Sequence, residues 1–152
     1  MKYLFINGSS NKNGNTARLN EILLKGKTYD TLSLVDYKIY SYGQEFSDDQ
    51  FMEVIQKIQD CDVLVVGSPL YWHNICGAVR NVLDRCYGVL NPGELKGKKM
   101  YFVFQGAAPE KWMLEAGEYT MKRFASISGM TYKGMVTNSK EAEEAAIKNQ
   151  EE

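Results

Sequence analysis

No stretch of this sequence stays apolar for long. The longest runs, such as Met100–Phe104, are about five residues, whereas a bilayer-spanning helix needs about 20. The opening residues turn polar at Asn7, too early for a secretory signal, so a strand that begins at once is expected. No charge of one sign dominates: 18 basic and 19 acidic side chains leave a net charge of −1. That balance offers no electrostatic footprint for nucleic acid or an anionic membrane. There is one histidine, His73, and there are three cysteines, Cys61, Cys76 and Cys86. None forms a C-x-x-C pair, so a zinc site of several His and Cys ligands is excluded and no metal is expected. The odd cysteine count without an export signal points to a reducing cytoplasm. Cys76 and Cys86 fall on the apolar face of one helical pattern and read as buried thiols.

Short apolar runs and helical patterns alternate along the chain. Strands are expected at about 2–7, at Leu32–Val35, at Val63–Gly67, at Tyr101–Phe104 and near Met130–Val136. Between them lie residues at i, i+3, i+4 spacing: Leu19, Ile22, Leu23, then Phe51, Val54, Ile55, Ile58. Ser47 is the expected cap of that second helix, with Asp48 and Asp49 in its first turn. A third helix is expected from Ile75 and a fourth over about 110–128. The run Val63–Val66 is apolar without alternation and rich in β-branched residues, as a parallel strand covered on both faces must be. Five strand–helix units in 152 residues predict one doubly wound α/β domain over 1–152, with 140–152 a charged, frayed helix or tail. In such folds ligands bind beyond the carboxyl ends of the strands.

The loop after the first strand is Asn7-Gly8-Ser9-Ser10-Asn11-Lys12-Asn13-Gly14-Asn15-Thr16, ten residues with no apolar side chain. It ends where a helix begins, and a helix N-terminus offers unpaired N–H groups to an anion. Gly8 and Gly14 let the backbone turn and approach a ligand. Ser9, Ser10, Asn15 and Thr16 add neutral donors, and Lys12 adds charge. Capping alone needs one such residue. The Walker spacing G-x-x-x-x-G-K-[ST] is not met, because five residues separate the glycines and Asn15 stands where the lysine belongs. The G-x-G-x-x-G fingerprint, a nucleophilic cysteine and an acidic cluster are also missing from the loop. A phosphate monoester that is held without being cleaved remains.

Ser68-Pro69-Leu70-Tyr71-Trp72-His73-Asn74 follows the third strand. Large aromatics on a loop tip suit a flat aromatic ligand. Packing also explains Tyr71 or Trp72, Asn74 reads equally as a cap for the helix from Ile75, and His73 reads more as an exposed bystander than as a proton donor. Gln105-Gly106-Ala107-Ala108-Pro109 follows the fourth strand and lets backbone N–H groups approach a ligand edge. A phosphate at the first loop and a planar ring at the other two describe flavin mononucleotide, FMN.

The chain resembles the NADPH-dependent FMN reductase family of flavodoxin-like proteins over about residues 2–136. The resemblance rests on GSSNKNGNTARL at Gly8–Leu19 and SPLYWHNICGAVRNVLDR at Ser68–Arg85, with the spacing between them. It implies a three-layer α/β/α sandwich whose five-stranded parallel sheet has the order 2-1-3-4-5. It assigns Ser9, Ser10, Asn11, Asn15 and Thr16 to the phosphate. Pro69, Leu70, Tyr71, Trp72, His73 and Asn74 go to the isoalloxazine ring, with Gln105 and Gly106 matched by position. Arg80, Asn81, Asp84 and Arg85 match a helix ending that is structural or part of a dimer interface. Iron–sulfur members carry a cysteine cluster after the second strand. Tyr40–Phe46 has no cysteine, so no cluster is expected. The chain is short for the family, and elements that cover the nicotinamide or a bulky acceptor are expected to be missing.

The implied activity is oxidoreduction from NADH or NADPH through FMN to a small acceptor, such as a quinone, a nitro or azo compound or free flavin. The flavin carries the chemistry, and no side-chain general acid is assigned. The alternatives are a flavodoxin-like electron carrier and a flavin-binding sensor. The near-zero net charge and the long first loop count against the carrier. A homodimer is implied, with Trp112 and Tyr119 as candidates to cover a partner's flavin or simply to pack.

Overall fold

Strand alternates with helix along the chain: β1 (Tyr3–Asn7), α1 (Asn15–Leu23), β2 (Tyr29–Ser33), α2 (Phe51–Asp60), β3 (Val63–Tyr71), β4 (Asn74–Ile75), α3 (Gly77–Arg85), β5 (Lys99–Gln105), α4 (Lys111–Ser128), β6 (Thr131–Val136) and α5 (Ser139–Glu151). The computed structural model describes residues 1–151. The parallel sheet runs β2-β1-β3-β5-β6, which is the expected order 2-1-3-4-5 once the short β4 is set aside. In register, Tyr3 pairs with Tyr29 on one side and Val63 on the other, and Val63 pairs with Lys99.

Both faces of the sheet are covered, and alternate side chains divide between them. Tyr3, Phe5, Val63, Val65, Tyr101 and Val103 point to a core layer shared with Leu19 and Leu23 of α1 and Ala142 of α5. Leu4, Ile6, Leu64, Phe102 and Phe104 point the other way. They meet Phe51, Val54, Ile55 and Ile58 of α2, Val79 and Val82 of α3, and Met121 and Ala125 of α4. Each large side chain buried in this way contributes about 1.5–3 kcal/mol. On α4, a Cβ at Gly117 would lie 2.4 Å from Phe104 Cε2, so the glycine sets the close approach of that helix to the sheet.

The structure corrects several local expectations. β2 starts at Tyr29 rather than Leu32, and Leu34–Asp36 is a 3-10 turn. As an edge strand it exposes Asp30 and Thr31, so hydropathy does not reveal its start. Ser47 does not cap α2; Asp49 Oδ1 accepts the Phe51 N–H at 2.9 Å instead. Asp48 pairs with Lys38, and neither aspartate lies within the helix. α3 begins at Gly77, after Cys76, rather than at Ile75. Ile75 belongs to β4, which pairs antiparallel with the end of β3. The charged tail forms the helix α5, in which Ala142 and Ala146 are buried and which packs on α1. Asn138 Oδ1 accepts the Glu141 N–H, and Glu141 Oε1 accepts the Thr137 N–H, so its start is capped from both sides.

The segment 37–50 has no regular structure and is tied to α3. Asn81 Nδ2 donates to the Ile39 carbonyl at 2.6 Å. Arg85 donates to the Tyr40 carbonyl and, with two nitrogens, to both Asp49 oxygens at 2.6 and 3.0 Å. The expected structural role of Asn81 and Arg85 is this pinning.

Candidate functional site

The three sequence-marked loops lie together at the carboxyl end of the sheet, because β1, β3 and β5 are adjacent and parallel. The first loop organises itself through alternate residues. Asn7 Oδ1 accepts the Ser9 N–H, Ser9 Oγ accepts the Asn11 N–H, and Asn11 Oδ1 accepts the Asn13 N–H, at 3.0–3.1 Å. These side-chain turns are the reason short polar residues fill the loop. They leave the intervening Ser10 and Lys12 amides uncommitted. At the start of α1, Gly14 provides no side-chain cap, and the Asn15, Thr16 and Ala17 amides have no acceptor among the described residues. Asn7 Nδ2 is buried and without a partner.

Gly8 is set by packing rather than by φ. Its N–H donates to the Gly67 carbonyl at 2.8 Å, and a Cβ there would lie 2.5 Å from Val79 Cγ2. Ser9 and Thr16 are buried, while Ser10, Asn11 and Asn15 are exposed. Asn15 Oδ1 accepts from Arg18 at 3.3 Å. Lys12 does not stand free for the loop, because it pairs with Asp36 at 2.6 Å. No acidic side chain lies between Asn7 and Thr16. Unpaired amides, two buried hydroxyls and an orphaned buried amide nitrogen fit the phosphate of a mononucleotide.

The second loop is a β-hairpin, which sequence reasoning missed. Leu70 pairs with Ile75 and Tyr71 with Asn74, and Trp72 and His73 form the tip with φ of 48° and 67°. Positive φ at both central residues is the requirement of a type I′ turn. Pro69 is buried, Leu70 and Asn74 are half-buried, and Tyr71 is half-exposed. Trp72 is 94% exposed, a full aromatic face available to a planar ligand. Asn74 is no helix cap: its Oδ1 accepts the N–H of Ile75, while the Cys76 N–H goes to Ser68 Oγ.

The third loop joins the other two. Gln105 Nε2 donates to Thr16 Oγ1 at 3.3 Å. Gly106 is tight against Leu70, where a Cβ would lie 3.0 Å from the leucine Cβ. From α4, the Trp112 ring meets His73 edge-on at 5.3 Å, and its Nε1 donates to Glu110 at 2.6 Å. Sequence reading missed Asn7 and Glu110. Asn7 had one visible signal, a polar residue that ends an apolar strand directly before a glycine.

The family model described as NADPH-dependent FMN reductase matches residues 1–143. The chain belongs to that family. Among curated relatives, it is 35% identical over 98 residues to an iron–sulfur flavoprotein of Archaeoglobus fulgidus, across 56% of this chain and 48% of that protein. It is 28% identical over 93 residues to a putative NAD(P)H-dependent FMN-containing oxidoreductase of Bacillus subtilis, across 56% and 51%. The chain thus spans about half the length of these curated relatives. The fold is shared with the Trp repressor binding protein of Bacillus subtilis, at a TM-score of 0.72 and 23% identity, covering 90% and 85% of the two chains. It is also shared with an FMN-dependent NADH-azoreductase of Bacillus anthracis, at 0.70 and 17%, covering 98% and 95%.

Tyr40–Phe46 contains no cysteine. All three cysteines are free and buried. No group of three or more His, Cys, Asp or Glu side chains among the described residues is placed to hold a metal. Burial raises the Cys61 thiol to about 11 and the Cys86 thiol to about 12, which marks them as packing groups.

Proposed function

We propose that this single domain binds FMN and works as an NAD(P)H-dependent oxidoreductase toward a small planar acceptor. The observation that carries the reading is the self-organised first loop, with its free amides tied through Thr16 and Gln105 to the loop beside the aromatic hairpin. Bound FMN would supply the redox chemistry, a two-electron carrier between NADH or NADPH and the acceptor.

The chain's residues bind and orient. The amides at Ser10, Lys12, Asn15 and Thr16 and the hydroxyls of Ser9 and Thr16 hold the phosphate. Each hydrogen bond to a charged oxygen is worth about 1.5–3 kcal/mol. Asn7, Ser10 and Asn11 complete that loop. Pro69, Leu70 and Asn74 fix the hairpin, while Tyr71, Trp72 and His73 present rings to the isoalloxazine. Gln105 and Gly106 offer donors at its edge. Quinones, nitro or azo compounds and free flavin all suit a shelf built from aromatic faces. Three unpaired thiols suit a reducing cytoplasm.

The partner is a second copy. Tyr42 and Tyr87 are 61% and 77% exposed and meet edge-on at 5.9 Å. With Phe124, Arg80 and Asp84 they line an open cavity of about 420 Å³ along α3 and α4. Arg80 and Asp84 lie one helical turn apart and make no ion pair with other described residues. A two-fold contact would pair each with the other in its partner.

The test is the visible spectrum of the purified protein, with FMN added, before and after NADPH without oxygen. A flavin spectrum that bleaches supports the reductase. A bound flavin that stays oxidised would replace it with a carrier or sensor. FMN fluorescence left unquenched by the protein would refute the reading of the first loop.

A further inference from the structure

Trp72 and His73 occupy left-handed backbone, at φ of 48° and 67°, where side chains other than glycine are strained. A glycine at 73 would make the same turn without that strain. The imidazole is therefore kept against a local cost, and the hairpin must be held by its surroundings. Two ladder pairs and the Cys76-to-Ser68 bond hold its base. Its tip is held from outside, by the edge-on contact of His73 with Trp112 at 5.3 Å and 63°. Trp112 is fixed in turn by its bond to Glu110. The contact joins the turn between β3 and β4 to the first turn of α4. Trp72, beside it, remains almost fully exposed.

We propose that His73 and Trp112 form a clasp that sets acceptor size at this site. The clasp closes the α4 side of the aromatic shelf, so compact one-ring acceptors are favoured over longer or branched ones, which meet the paired rings. His73 and Trp112 are thus specificity-determining positions. The inference rests on the flavin reading above.

Two substitutions open the clasp from opposite sides. His73→Gly removes one ring and suits the observed φ, so the fold is retained. Trp112→Leu removes the other ring and keeps His73. With FMN-loaded protein and NADPH, the kcat/KM ratio for the bulky azo dye methyl red over para-benzoquinone should rise about tenfold in both variants, chiefly through the KM of the dye. Independently of turnover, Trp112→Leu should speed amide exchange over residues 70–76 by about tenfold, because the strained tip loses its outer support.

An unchanged acceptor ratio in both variants would overturn the clasp, as would unchanged exchange in Trp112→Leu. FMN binding is read separately, by quenching of the emission of the two tryptophans, Trp72 and Trp112. If the unaltered protein binds FMN and the ratio stays fixed, this inference alone falls. If it binds no FMN, the flavin reading falls with it.

Discussion

Gln105 donates from Nε2 to Thr16 Oγ1 at 3.3 Å, across 89 positions of the chain. This bond joins the loop after β5 to the first turn of α1. It links the phosphate end of the site to the ring end. Gln105→Leu should weaken FMN binding about tenfold, the worth of one such bond. Titration of FMN fluorescence measures it. An affinity equal to that of the unaltered protein would mean that the link is incidental to the cofactor.

Gly8 admits no side chain, since its Cβ would overlap Val79 Cγ2 at 2.5 Å and the Gly67 carbonyl at 2.9 Å. Gly8→Ala should therefore destabilise the fold by about 2 kcal/mol. In a chain of this size that lowers Tm by about 6 °C. Thermal unfolding followed by circular dichroism reads the shift.

Asp49 is held well below the ordinary carboxylate range, first by the Arg85 guanidinium and then by the Tyr40 and Phe51 amides. Its stabilising contribution is complete above the unfolded pKa of about 4 and is lost as pH falls through the lower native value. Asp49→Asn should cost about 2 kcal/mol near pH 6, reduced from the fully buried case because both partners are partly exposed. The difference from the unaltered protein should shrink below pH 4. Urea unfolding at pH 6 and pH 3 tests this, and a gap that widened in acid would contradict the assignment.

The raised thiols of Cys61 and Cys86, at about 11 and 12, predict chemical silence. At pH 8 neither should react with a thiol-labelling disulfide until denaturant is added, since both protonation and burial oppose attack. Mass spectrometry of the labelled peptides identifies which cysteine responds.

If the proposed dimer forms through this face, Arg80→Glu should dissociate it and the double change Arg80→Glu with Asp84→Arg should restore it, because a two-fold contact would be re-formed with its signs exchanged. Light scattering after size exclusion gives the mass. A monomer in all three proteins would remove the α3–α4 face as the contact.

The layers of this protein were legible because their signals are local. Val63–Val66 is apolar at every position, which only a strand covered on both faces requires, and α2 repeats Phe51, Val54, Ile55 and Ile58 at helical spacing. The polar, locally bonded character of the first loop was legible for the same reason, since Asn7, Ser9 and Asn11 each serve an amide two residues away. What the sequence concealed depends on partners far along the chain. The start of β2 is set by pairing with β1 at an edge, where one face is wet. The cap of α2 falls to Asp49, which Arg85 also claims from α3. The hairpin at Trp72–His73 escaped because its turn takes no glycine, and its tip is supported by Trp112. The sequence by itself determined the layers, the order of elements and the chemistry of the first loop. Tertiary structure decided which side chains meet across the loops, because those contacts join residues that only the parallel sheet brings together.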